Sequence, residues 1–134
     1  MVDAAAVLTP YAQSLGMRVA RMEGDVPVLA VDFSGAVEGR PGALHGGAIS
    51  GLLETAGYAL LRGELARLDR VARMKPINIT VQFLAAGTVQ ETYASARIVK
   101  LGRRTANISV EAWQDKRDRP IASAVMNVMV ASEA

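Results

Sequence analysis

Apolar residues recur at helical spacing in one long stretch of the chain. Ile49, Leu52, Leu53, Ala56 and Leu60 fall on one side of a helix predicted to run from Ala48 to about Leu61. A shorter helix is predicted near the start, where Thr9 reads as an N-cap, Pro10 as the first helical residue and Gly16 as the stop after Leu15. Much of the remainder is rich in Val, Ile and Thr and reads as strand. Arg18 to Glu23 and Val26 to Phe33 predict two strands joined by the turn Glu23-Gly24-Asp25. Pro76 to Leu84, Thr92 to Leu101, Thr105 to Gln114 and Ile121 to Ala131 predict four more, with turns at Gly102-Arg103-Arg104 and Asp115 to Pro120. Gly35 to Gly47 holds five glycines and one proline in thirteen residues, so it is a loop that bends sharply or lies close to something. Arg62 to Lys75 is charged and is predicted to carry the chain out of the helix. One central helix followed by consecutive meander-type strands gives an α+β domain with an antiparallel sheet packed on that helix.

Composition narrows the function classes. The 134 residues make one domain, residues 1–134, and 51% hydrophobic against 21% charged residues gives a chain that folds. Aromatics at 4% and a net charge of +2 leave little for base stacking or phosphate tracking, which argues against a nucleic-acid partner. There is no cysteine and a single histidine, His45, so thiolate chemistry and a multi-histidine metal site within one chain are excluded. Met1-Val2-Asp3-Ala4 places an acid, with no base, ahead of the first apolar stretch, the wrong polarity for a secretory signal. With no run long enough to span a bilayer, a cytoplasmic protein without a membrane partner is expected.

Candidate chemistry gathers on the second face of the central helix. Gly47, Gly51, Glu54 and Tyr58 lie opposite the apolar stripe, and Glu54 is the sole ionisable carboxylate or base between Gly46 and Leu61. A helix lying on a sheet ordinarily turns a charge-rich face to water, so this helix is expected to be buried on both sides, with Glu54 partly desolvated. His45-Gly46-Gly47 leads into the helix, where unpaired N–H groups and the positive end of the dipole suit an oxyanion. Gly46 and Glu54 are eight residues apart, about 12 Å along a helix, too far for both to act on one carbonyl. If both take part, they come from different protomers, with two helices antiparallel across a two-fold axis. That predicts an obligate dimer.

The stretch from Leu44 to Ala56, with His45-Gly46-Gly47 at the helix start and a carboxylate nine residues after the His, resembles the hotdog-fold acyl-CoA thioesterases, in the phenylacetate-degradation (PaaI-like) branch. The resemblance extends over nearly the whole chain, through Ser14-Leu15-Gly16-Met17, Ile79 to Gly87 and Lys100-Leu101-Gly102-Arg103-Arg104. It implies a long helix wrapped by an antiparallel sheet, paired into a dimer and often a tetramer, and metal-free hydrolysis of acyl-CoA. Coenzyme A enters only as part of the substrate, with no other cofactor. Carried onto this chain, the Gly46 N–H is the oxyanion donor, and the partner chain's Glu54 attacks the carbonyl or activates a water. His45 shapes the loop or contacts the thioester, beside Gly47.

Two positions depart from the family pattern. Gly39 stands six residues before His45, where many members have Asn or Gln. Pro76 or Tyr58 stands where some place a Ser or Thr beside the carboxylate, and Tyr58 and Ser50, each about one helical turn from Glu54, are the available substitutes. Lys100, Arg103 and Arg104 suit the phosphates of coenzyme A, with Arg62, Arg67, Arg70, Arg73 and Lys75 as a second group. Trp113, Met74, Met126 and Met129 read as core filler. The rival reading is a non-catalytic acyl-CoA-binding protein; a hotdog hydratase or dehydratase is disfavoured for want of an evident second acid-base residue, and a nucleic-acid module by charge and aromatic content.

Overall fold

The computed structural model describes residues 6–132. Met1 to Ala4, on which the localisation expectation rests, lie outside them. The elements in chain order are α1 (Pro10–Ser14), β1 (Arg18–Glu23), β2 (Val26–Val31), α2 (Gly46–Arg67), β3 (Ala72–Phe83), β4 (Thr92–Leu101), β5 (Thr105–Trp113) and β6 (Ala122–Ser132). The six strands pair antiparallel in one sheet of order β1-β2-β4-β5-β6-β3, which wraps the long helix in the hotdog arrangement.

The sheet is not a simple run of neighbours. β4, β5 and β6 form the expected meander, but β3 crosses to the far edge and pairs with β6 along nearly its whole length, Ala72 opposite Ser132 and Phe83 opposite Ala122. An edge position explains how Pro76 sits inside β3 rather than opening it. Proline removes one donor, which an edge strand tolerates, and the register slips between Pro76 and Asn78.

The helix is longer than its periodicity predicts at both ends. It begins at Gly46, with His45 as N-cap, because glycines carry no apolar signal to mark a first turn. It continues past Leu61 because Leu65 is still buried and Glu64 pairs with Arg67 one turn on. Asp69 ends it at φ 53°, with Arg70 N–H donating to the Leu65 carbonyl at 2.9 Å and Asp69 N–H to that of Ala66 at 3.2 Å. This is a Schellman turn with aspartate where glycine is usual, so no glycine marks the stop.

The predicted stripe is the core. Ile49, Leu52, Leu53, Ala56 and Leu60 are buried against Leu29, Ala94, Ile108, Val110, Met126 and Val128 from the sheet. Gly57 makes close approach possible, since a Cβ there would lie 2.4 Å from the Met126 sulfur. Met126 fills the interior as expected, whereas Trp113 is buried on the other face of the sheet, stacked on Tyr93 beneath Arg117, Met129 is exposed, and Met74 lines a cavity described below. Among the described residues, no helix is long and apolar enough to cross a membrane.

Candidate active site

The loop ahead of α2 is tied down before the helix starts. Val37 is fully buried, its carbonyl accepts the His45 N–H at 2.8 Å, and the Leu44 N–H donates to the Gly87 carbonyl at 3.0 Å. His45 then caps α2, its Nδ1 accepting the Gly47 N–H at 2.8 Å. An accepting Nδ1 leaves the ring proton on Nε2. Gly47 must be glycine for this cap, because a Cβ there would stand 2.9 Å from the same Nδ1. Gly46, the first helical residue, has an N–H with no acceptor among the described residues, and it lies under the exposed ring of Phe83 at the end of β3.

Gly39 packs directly on this turn. A Cβ at that position would lie 3.0 Å from the His45 Cα, so any side chain there would require the helix start to give by a few tenths of an ångström.

Further along α2, a cavity of about 310 Å³ is lined by Gly51, Glu54, Thr55, Tyr58 and Arg62 from the helix, Thr9 and Tyr11 from the N-terminal segment, and Met74 and Pro76 from β3. The helix residues are spaced three or four apart, so they form a trough along one face, about 16 Å long. Tyr11 closes over Gly51, where a Cβ would meet its hydroxyl at 2.9 Å. Arg62 holds the far end by donating to the Val7 carbonyl at 2.7 Å, and burial lowers its pKa. Thr9, Tyr11 and Thr55 were not anticipated. The N-cap signature of Thr9-Pro10 places α1 in the sequence, but nothing local says that α1 folds over the middle of α2.

Two carry-over residues meet in this trough at different depths. Glu54 is exposed in the single chain, so the expectation that the second face is covered, with Glu54 desolvated, does not hold within one chain. On that face, Gly51 is roofed by Tyr11. Tyr58 leans its ring on the core, and its hydroxyl oxygen is buried with no hydrogen-bond partner. Burial, and secondarily the Glu54 charge, push its pKa up. Ser50, one turn before Glu54, is half-buried and does not line the trough.

The basic residues gather elsewhere. Arg70 donates to the carbonyls of Gly102 and Arg103, both at 3.1 Å, and so fastens the end of the helix to the β4–β5 turn. Arg73 and Lys75 at the start of β3, Lys100 at the end of β4, and Arg103 and Arg104 are all exposed at this same end of the sheet. The two predicted basic groups are thus one, without Arg62, which serves the trough, or Arg67, which pairs with Glu64 and Asp25. Counting along α2, this end lies about 20 Å from Glu54.

A larger cavity, about 530 Å³, opens where β2 diverges from β4 and is lined by Glu23, Asp25, Glu64, Arg67, Arg97 and Arg117 among others. Its carboxylates are engaged: Arg117 and Arg21 hold Glu23, lowering its pKa, and Arg67 holds Glu64 and Asp25. It offers no unpaired acid for catalysis.

Residues 41–121, well over half of the chain's 134, match the sequence profile of the thioesterase superfamily. The chain belongs to that superfamily. Thioester hydrolysis is therefore its class of chemistry. Among characterised relatives it is 29% identical over 133 residues to the medium/long-chain acyl-CoA thioesterase YigI of Escherichia coli K12, covering 90% of this chain and 85% of that protein. Two solved structures share the fold: AziG of S. sahachiroi, with TM-score 0.82 and 23% identity over 95% of this chain and 100% of that one, and a phenylacetic acid degradation-related protein of Ralstonia eutropha JMP134, with TM-score 0.77 and 22% identity over 92% of each.

Proposed function

We propose that the chain hydrolyses acyl-CoA to free acid and coenzyme A at a site shared between two protomers. The Gly46 N–H of one chain donates to the developing oxyanion, an interaction worth about 3 kcal/mol of barrier if it matches other oxyanion donors. Glu54 of the partner attacks the carbonyl or activates a water. One observation carries this reading: a free amide at the helix start and the lone carboxylate of the trough stand eight residues apart on one rigid helix, about 12 Å, so a single chain cannot bring both to one carbonyl. Two antiparallel helices can. Such pairing also covers the exposed second face and takes Glu54 out of water.

His45 holds Gly46 in aim through its cap on Gly47. The basic end of the sheet, with Lys100, Arg103 and Arg104, takes the phosphates of coenzyme A across a distance that an extended pantetheine arm bridges. The protein works as a dimer or a dimer of dimers, in the cytoplasm, with no cofactor besides the coenzyme A of its substrate.

Release of free thiol from a panel of short, medium and aryl acyl-CoAs, with Glu54→Ala as control, tests the reading. Turnover that survives the substitution rejects the mechanism. A stable, active monomer in solution rejects the shared site. The lack of an amide side chain at Gly39 favours one rival, a non-catalytic acyl-CoA binder, which saturable binding without turnover across the panel would establish.

A further inference from the structure

Tyr58 carries a feature that hydrolysis alone does not use. Its hydroxyl oxygen is buried in the wall of the trough and has no hydrogen-bond partner among the described residues, although its neighbours in the lining include Thr55, Arg62 and Glu54. Leaving such a donor unpaired is costly, and a phenylalanine would fill the same space without that cost. The phenol stays protonated at neutral pH, because both burial and the nearby Glu54 charge favour the neutral form. It is therefore a donor held ready for an acceptor.

Depth decides what that acceptor is. The Glu54 carboxylate is exposed, at the mouth, and makes no hydrogen bond to Tyr58. The phenol oxygen lies deeper, one helical turn further along the same face, towards the end that Arg62 and the Val7 carbonyl close. A thioester carbonyl placed at Glu54 sends its acyl group down the trough past that oxygen.

The geometry points to Tyr58 as a specificity residue that selects acyl groups bearing an oxygen within the first few carbons beyond the thioester carbonyl, a hydroxy- or oxoacyl group, over the plain alkanoyl group of equal length. This rests on the proposed hydrolysis at Glu54 and adds a substrate class to it. An alkyl chain would slide past the phenol and leave it unpaired, whereas an oxygenated chain would pair it.

The test compares kcat/KM for hexanoyl-CoA with the values for its β-hydroxy and γ-oxo counterparts, read as released thiol, in the wild-type protein and in Tyr58→Phe. The wild type is expected to prefer at least one oxygenated substrate by roughly three- to tenfold, the reach of one neutral hydrogen bond, and the Phe variant to bring that ratio close to one. A wild-type ratio of one or less, with robust turnover, overturns the inference and leaves the hydrolase reading intact. A ratio that persists in Tyr58→Phe while turnover of all substrates falls together also overturns it, since the hydroxyl would then serve Glu54 and not the acyl group. Absence of turnover on every substrate removes the inference together with the reading beneath it. Should the Phe variant fail to fold, the wild-type ratio alone decides.

Discussion

His45 separates two accounts of this site with one pair of substitutions. Its Nδ1 accepts the Gly47 N–H at 2.8 Å, its backbone is extended as an N-cap requires, and the residue between the two, Gly46, carries the amide assigned to the oxyanion. His45→Ala removes the acceptor and leaves the Gly47 N–H to water. Because that site is exposed, the loss belongs near the middle of the usual cap range, about 1 kcal/mol, or roughly 3–5 °C in Tm for a chain of this size. His45→Asn supplies a shorter side chain with an oxygen suited to the same N–H, so stability should return to within a few tenths of a kcal/mol of wild type. The activities should follow the stabilities: Asn within about threefold of wild type, and Ala lower, as the first turn loses its fixed direction. A general base gives a different pattern, because its removal costs on the order of a hundredfold or more whatever happens to the cap. Thermal melts and thiol release on the same preparations read both quantities. A well-folded Asn variant with activity down a hundredfold would refute the capping account and make the imidazole a chemical participant.

Three further outcomes are expected. Asp69→Gly should stabilise the protein by about 1 kcal/mol, measured by denaturant unfolding, since glycine takes φ 53° without the strain an L side chain carries there. Gly57→Ala should destabilise by about 1–3 kcal/mol despite alanine's better helix propensity, because its Cβ would lie 2.4 Å from a buried sulfur on β6; a stabilised variant would mean that Met126 yields freely. Tyr58 has its pKa raised by burial and by Glu54, so its contribution to stability is complete below its ordinary value, about 10, and is lost as pH rises through the higher folded value. Melts at about pH 8 and pH 11 should therefore show a steeper alkaline loss in wild type than in Tyr58→Phe, and equal slopes would contradict the burial of the phenol.

Period and turn chemistry made most of the fold legible before any coordinates. Thr9 caps α1 as its position before Pro10 indicates, with its side chain accepting the Ala12 N–H at 3.1 Å, and β1 and β4 have the predicted bounds. What escaped has a physical reason in each case. The end of α2 uses aspartate where a glycine would have been read as a stop, and Pro76 is harmless only because β3 occupies an edge, a fact of topology that no local window contains. The site was legible where chemistry is local: His45, Gly46 and the spacing to Glu54 lie on one continuous element. The roof over Gly51 was not, because Tyr11 reaches it from forty positions upstream and leaves no periodic trace. Nor was the exposure of Glu54. A charge-poor helix face predicts a cover, and in the single chain Glu54 has none.

Gly39 and His45 lock one another in place, and this limits how the protein can change. A side chain placed at position 39 would press its Cβ against the backbone of the capping residue, which would have to give by a few tenths of an ångström, next to the Gly46 amide. A side chain at position 39 and the fixed direction of the first turn of α2 are therefore coupled: the one is accommodated only as the other shifts by a few tenths of an ångström.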